Sequence, residues 1–415
     1  MILFEVLKGK KRKIIVSLAV LVILATALAI WDTLKIEEIN SEGNDSNLNI
    51  SESNKPEHSK GKNNNKEKNT NQQCPSLLWS DEFSGDNLDE NSWEIQLGDG
   101  CSIDSCGWGN QELQSYASSN VMVKNGLLSI EAREDDNGVY TSGRIRTMNS
   151  QDFHAAESGR LEARIKLPIG QGIWPAFWMM PTQSIYGWWP SSGEIDIMEN
   201  LGHEPGRVHG TIHYGPSFDK RQFQGETYDL PPGSKFADDY HIFAVERAEV
   251  GGGGYIRWIV DDYVYATKTP DDIGSHHWPF DEEFHFILNV AVGGNWPGSP
   301  NENTVFPQTM EVDYVRVHDT PLPSLTGPNK VDHRDMEVTY QVLNAGSTCI
   351  WEVPHDATII SGQNTDTIKV IFGATSGHVK VTIQDSMCNE FLDKVISVYV
   401  TVPPAYKYEY TLENF

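Results

Sequence analysis

The stretch "GRLEARIKLP", residues 159–168, alternates without a break. Leu161, Ala163, Ile165 and Leu167 fall on one side, and Arg160, Glu162, Arg164 and Lys166 on the other. A period of two is the signature of a half-buried strand, and slipping it by one residue would turn every apolar group to water. The same period runs through "FHFILNVAV", which sets Phe284, Phe286, Leu288 and Val290 together, and through "GYIRWIVDDY", which groups Ile256, Trp258 and Val260. No long helical period competes with it. The 35 Gly and 21 Pro residues supply turns between short runs. An all-β chain is therefore predicted, with a β-sandwich or jelly roll over residues 76–320. "GGGG" at 251–254 is a hairpin tip rather than a phosphate cradle, because no helix pattern follows it.

Other parts of the chain differ in kind. Lys8, Lys10, Lys11, Arg12 and Lys13 precede an uncharged run over 14–31, in which Ala27-Leu28-Ala29 has the form of a cleavage site. Residues 1–31 are thus expected to be either a signal peptide or a membrane anchor that tethers the chain, with everything after them exported to the cell surface, the periplasm or the medium. Residues 32–75, rich in Asn, Ser, Lys and Glu, cannot bury enough apolar surface to offset ordering, and suit a disordered polar linker. "DTPLPSLTGPNK", 319–330, marks a boundary, with a linker over 321–330, a small immunoglobulin-like sandwich over 331–403 and a tail over 404–415. Export makes cysteine pairing expected. Cys101 and Cys106 would close a short loop, Cys349 and Cys388 share a later segment, and Cys74 is left over.

Charge narrows the partners. Acids outnumber bases 58 to 32, a formal net charge of −26. Nucleic acid needs a basic footprint and is excluded, and a sulfated polymer would be repelled overall. A neutral polysaccharide meets no such barrier, and the twelve Trp residues offer flat faces for sugar rings. Nothing in the chain calls for a catalytic cofactor or a second copy, so a monomer is expected.

"GEIDIMEN", 193–200, holds the chemistry. Glu194 and Asp196 share a strand face, but Glu199 falls on the opposite one. A β-bulge at Ile197-Met198 would restore it. Glu194 and Glu199 would then stand about four steps apart, roughly 13 Å between Cα atoms, and their side chains could lean to roughly 5 Å. That is about the spacing of a retaining glycosidase pair. Three adjacent carboxyls cannot all ionise cheaply, so one is expected to stay protonated as a general acid. The bland alternative is a solvated acidic face. A zinc site from His203, His209 and His213 has no recognised ligand spacing.

The segments "GIWPAFWMMP" at 172, "WWPSSGEIDIMEN" at 188, "GWGNQELQSY" at 107, "SGRIRT" at 142, "VHGTIHYG" at 208 and "LNVAVGGNWPG" at 288 together resemble glycoside hydrolase family 16, laminarinase branch, over residues 76–320. The resemblance implies a concanavalin-like jelly roll that hydrolyses β-1,3-glucan with retention, Glu194 as nucleophile, Glu199 as acid/base and Asp196 orienting Glu194. Mixed-linkage glucan, a marine galactan, transglycosylation, or glucan binding without turnover are the rival readings. It further implies substrate contacts from Asn110, Arg144, Trp174, Trp178, Trp189 and His213, and a structural calcium at Glu82, the Gly126 carbonyl and Asp313. The small carboxyl-terminal domain, with "STCIWEVP" and "SGHVKVTIQDSMC", resembles PKD-like modules.

Overall fold

The computed structural model describes residues 75–154, 159–250, 253–332, 336–345, 348–385 and 390–401. The leader or anchor, the tether up to Cys74, Cys388 and the tail lie outside the described residues. Among the described residues, regular structure is strand and short 3-10 turn, as the period of two requires. No helix among them is long and apolar enough to cross a membrane.

Two sheets build the larger sandwich. The sheet that carries the acids runs in the order Gln222–Asp229, Arg207–Tyr214, Glu194–Glu199, Ile173–Pro181, Phe284–Val292, Arg144–Arg146, Glu94–Ile95. The opposing sheet runs Tyr263–Lys268, Gly253–Val260, His241–Val250, Arg160–Lys166, Gln308–His318, Leu127–Glu134, Tyr140–Ser142 and Ser115–Tyr116. Their facing sides meet in one core that includes Leu161, Ile165, Phe177, Ile195, Trp258, Phe286 and Leu288. Each such side chain, fully buried, contributes about 1.5–3 kcal/mol of transfer free energy. The alternation read in "GRLEARIKLP" is therefore the core-facing register. In Phe284–Val292 all nine positions are buried. Phe284, Phe286, Leu288 and Val290 face the core, while His285, Ile287, Asn289 and Ala291 line a cleft on the other side.

The segment 319–330 is built differently from a loose linker. Ser324–Thr326 pairs antiparallel with Glu337–Leu343 and makes a parallel bridge, Tyr263 to Leu325, so the opposing sheet runs on into the small domain. That domain is itself a sandwich, closed by a second sheet of Lys330–Val331, Glu390–Val400, Gly377–Asp385 and Thr348–Glu352 around Tyr340, Trp351 and Phe372. The junction buries the end of the Arg160–Lys166 strand whose polar side the alternation assigns to water. Arg160 is 1% exposed and Glu246 0%. Arg160 Nε lies 2.7 Å from Glu162 Oε2, and its amino groups lie 3.7 Å from Glu246 and 3.8 Å from Asp262. Lys394 of the small domain reaches Asp262 at 2.9 Å. Charges removed from water persist only when paired, and here they pair across the junction.

Candidate active site

The acid-bearing strand gains one residue on both of its flanks. Against Ile173–Pro181, Phe177 faces Met198 and Trp178 faces Asp196, so Ile197 has no partner of its own. Against Arg207–Tyr214, Asp196 faces Thr211 and Glu199 faces His209, two residues on one side answering one on the other. Glu194 faces His213. Positions 213, 211 and 209 alternate regularly on an unbulged strand, so Glu194, Asp196 and Glu199 share one face, four partner steps or about 13 Å from end to end. Ile195, Ile197 and Met198 go to the core on the other side.

Two residues hold the bulge from beneath. Trp258, on the opposing sheet, donates its indole N–H to the Asp196 carbonyl at 2.8 Å. Gly210 lies across from the extra residue, and a Cβ there would sit 2.3 Å from Trp258 Cδ1 and 2.4 Å from the Tyr265 hydroxyl. Only a residue without a side chain lets the indole reach the bulged backbone. Sequence reasoning placed Trp258 in the core, where it is, but its N–H contact carries no sequence signal.

Each glutamate receives one indole N–H. Trp189 donates to Glu194 Oε2 at 2.6 Å, and Trp174 donates to Glu199 Oε1 at 3.0 Å. Burial raises the pKa of both carboxyls, and the charge of Asp196 raises them further. Glu199 is held well above the ordinary carboxylate range. Glu194 has the shorter indole bond and His213 only 3.9 Å away, both of which favour its ionised form. Burial and Asp196 still leave the Glu194 pKa raised, to about 8. His213 Nε2 lies 3.1 Å from Asp196 Oδ2. Burial opposes charge on this imidazole, but the Asp196 carboxylate 3.1 Å away and the charges of Glu194 and Glu199 outweigh it and lift its pKa to about 10. It is a fixed cation at neutral pH.

The three acids open onto a cleft of about 360 Å³. Asn110, Arg144, Trp174 and Trp178 line it as expected, whereas Trp189 and His213 stand at its edge and touch the acids directly. Arg144 is clamped between rings, 4.4 Å over Trp108 and 4.9 Å over Trp178, with Nε on Gln96 at 2.5 Å. Trp178 donates to Asn289 at 2.7 Å, Asn289 to Tyr116 at 3.2 Å, and Tyr116 to Glu112 at 3.2 Å. Glu112 also accepts from Asn110 and Gln114. This relay was not legible as a unit, since its members come from three separate segments. Cys101 and Cys106 are joined in a disulfide that closes the loop carrying the cleft residues Ile103 and Ser105, and Trp108 follows just after it.

Among the described residues, donor atoms of Glu194, Asp196 and His213 lie within 4.8 Å of one another. With its pKa lifted, His213 itself brings positive charge to this cluster of acids. His209 packs on Trp296 with ring centroids 4.8 Å apart and His203 is exposed, so the three histidines do not gather. At the implied calcium site, the register brings Glu82, Gly126 and Asp313 together beside the middle of Gln308–His318, where Leu77–Asp81 and Leu127–Glu134 meet along one edge. There the Glu82 carboxylate is held by Arg316 at 2.8 and 2.9 Å, and that of Asp313 by Arg164 at 2.6 Å. Both carboxylates are already neutralised, which does not fit an open cation site.

The family model for Glycosyl hydrolases family 16 matches residues 109–316, and that for a PKD-like domain matches residues 319–398. A glucan endo-1,3-beta-glucosidase A1 of Niallia circulans is 42% identical over 266 residues, spanning 58% of this chain but only 37% of that protein. A beta-glucanase of Rhodothermus marinus is 39% identical over 259 residues, 58% of this chain and 84% of that protein. Among solved structures, the endo-beta-1,3-glucanase from Pyrococcus furiosus superposes with a TM-score of 0.54 at 41% identity, covering 59% of this chain and 94% of its own.

Proposed function

The chain belongs to glycosyl hydrolases family 16, and on that premise we propose that it is a retaining endo-hydrolase of β-1,3-glucan acting by double displacement. The observation that carries the proposal is the single-residue bulge at Ile197, which aligns Glu194, Asp196 and Glu199 along one cleft-facing row. In the first step a Glu194 carboxylate oxygen attacks the anomeric carbon. The bond from that carbon to the leaving sugar oxygen breaks, and Glu199 gives the oxygen its proton. In the second step Glu199 takes a proton from water, the water oxygen attacks the same carbon, and Glu194 departs. Asp196, backed by the His213 cation, orients Glu194.

The 2.6 Å indole bond and the imidazole 3.9 Å from Glu194 favour its carboxylate form, which supports its role as nucleophile. Relatives named as endo-1,3-beta-glucosidase and beta-glucanase support the polymer. The disulfide at Cys101–Cys106 supports action outside the cytoplasm, by a secreted or tethered protein. Structural calcium would have to displace Arg316 and Arg164. Melting in calcium against EGTA tests it, and a melt indifferent to both is expected.

The experiment is reducing-sugar release from laminarin, lichenan, agarose and carrageenan by wild type and Glu194→Gln. Release from laminarin that Glu194→Gln abolishes is the expected result. Wild type that binds laminarin without cleaving it would make the protein a glucan receptor instead.

A further inference from the structure

The cleft lined by Arg144, Trp174 and Trp178 lies over one half of the sheet. In strand order it occupies Arg144–Arg146, Phe284–Val292 and Ile173–Pro181, all on one side of the acid-bearing strand. A chain cut in its middle must continue over the other side, across Arg207–Tyr214 and the last strand, Gln222–Asp229. That half holds an aromatic strip which no role so far explains. Phe218 is 64% exposed and Phe223 69%. Such rings cost free energy in water unless something covers them.

The strip is continuous with the acids. Phe223 faces His213 in the register, and His213 faces Glu194, so all three side chains lie on the cleft side of the sheet. Ring centroids step from Phe218 to Trp189 at 5.6 Å, from Trp189 to His213 at 6.0 Å, and from His213 to Phe223 at 6.0 Å. Beside this wall the next row runs Asp196, Thr211, Gly225. A Cβ on Gly225 would lie 2.5 Å from the Gly210 carbonyl and 2.8 Å from Thr211 Oγ1, so the row ends in bare backbone. A wall of rings along a floor of Thr and Gly, ending at the edge of the sheet, is a groove open at its far end.

Resting on the glucanase reading above, we infer that Phe218 and Phe223 form a second half of the substrate groove, which stacks the pyranose rings of a neutral polysaccharide on the far side of the scissile bond from the Arg144 cleft. The aromatic faces cover the C–H faces of the sugars, and the open end lets the polymer run on, which is what cleavage within a chain requires. The Arg144 half ties its tryptophans to the Asn289–Tyr116–Glu112 hydrogen-bond relay and fixes which sugar enters. The aromatic half is tolerant and rewards length.

The test compares kcat/KM on laminarin with kcat/KM on the shortest oligosaccharide that wild type cleaves. In Phe218→Ala/Phe223→Ala the laminarin-to-short ratio is expected to fall by up to about tenfold per ring, the size of one aromatic stack. Phe218→Tyr/Phe223→Tyr keeps the rings and should keep the ratio. An equal loss at every length, or no loss at any, overturns the inference. Affinity electrophoresis of Glu194→Gln with and without the two Ala changes, in gels carrying laminarin, lichenan or agarose, separates this from the premise. Weaker retardation by one of these polymers supports the strip even if laminarin is not hydrolysed, and unchanged retardation in all three refutes it even if laminarin is.

Discussion

Removing one indole N–H at a time should move one limb of the pH–activity profile and largely spare the other. Trp189→Phe keeps an aromatic ring but deletes the donor 2.6 Å from Glu194, and Trp174→Phe does the same for the donor 3.0 Å from Glu199. A hydrogen bond to a charged group is worth about 1.5–3 kcal/mol, and one pKa unit is about 1.4 kcal/mol. Each deletion should therefore raise the pKa of its glutamate by roughly 1–2 units, the shorter bond giving the larger change. The sign follows from the state each bond stabilises. The indole favours the carboxylate, so its loss favours the acid. Glu194 must be ionised to attack, so Trp189→Phe should carry the acidic limb to higher pH. Glu199 must be protonated to assist the leaving group, so Trp174→Phe should carry the alkaline limb to higher pH and widen the active range. The two carboxyls interact, so a smaller shift of the opposite limb accompanies each. The assay is kcat/KM on a soluble β-1,3-linked oligosaccharide across the pH range, which reports the free enzyme. If Trp189→Phe moved the alkaline limb and Trp174→Phe the acidic one, the roles of Glu194 and Glu199 would be exchanged. If neither limb moved, the indoles would not tune the pair at all.

Other perturbations have equally definite outcomes. His213→Gln removes the cation that lowers both glutamates, so both limbs should rise by roughly 1–3 units, measured in the same profiles. Gly210→Ala drives a methyl group into Trp258 and Tyr265 beneath the bulge, which should cost about 1–3 kcal/mol in urea unfolding and lower kcat as the acids lose their row. Arg160→Met leaves Glu162 and Glu246 buried without their shared guanidinium, a loss of about 3–5 kcal/mol by the same measurement. An Arg160→Met protein as stable as wild type would mean that Arg257, 3.1 Å from Glu246, and Lys394, 2.9 Å from Asp262, hold the junction network alone.

The strands and the row of acids were legible because both rest on a local rule, alternation with one interruption. The run of Ile195, Asp196, Ile197 and Met198 admits a single extra residue, and the pairing places it at Ile197. What lay outside the sequence was contact between distant segments. Arg160 and Glu162 read as a solvated face because nothing in "GRLEARIKLP" announces that the small domain will cover them. The three prolines at 319–330 suggested a loose connection, yet Ser324–Thr326 joins the sheet, since a short strand needs only one edge to pair with. Trp189 read as a stacking platform, and its N–H toward Glu194 is set by the fold of the preceding loop. Phe218 and Phe223 drew no attention, because exposure is not written in a side chain's identity.

The stereochemistry of the first product tests the bulge-set pair most directly. Proton NMR of an early laminarin digest records which anomer is released before mutarotation equilibrates the two. A pair in which Glu194 attacks as nucleophile and Glu199 serves as acid and then base retains configuration, so the β-anomer should appear first, and an α-anomer appearing first would contradict the mechanism.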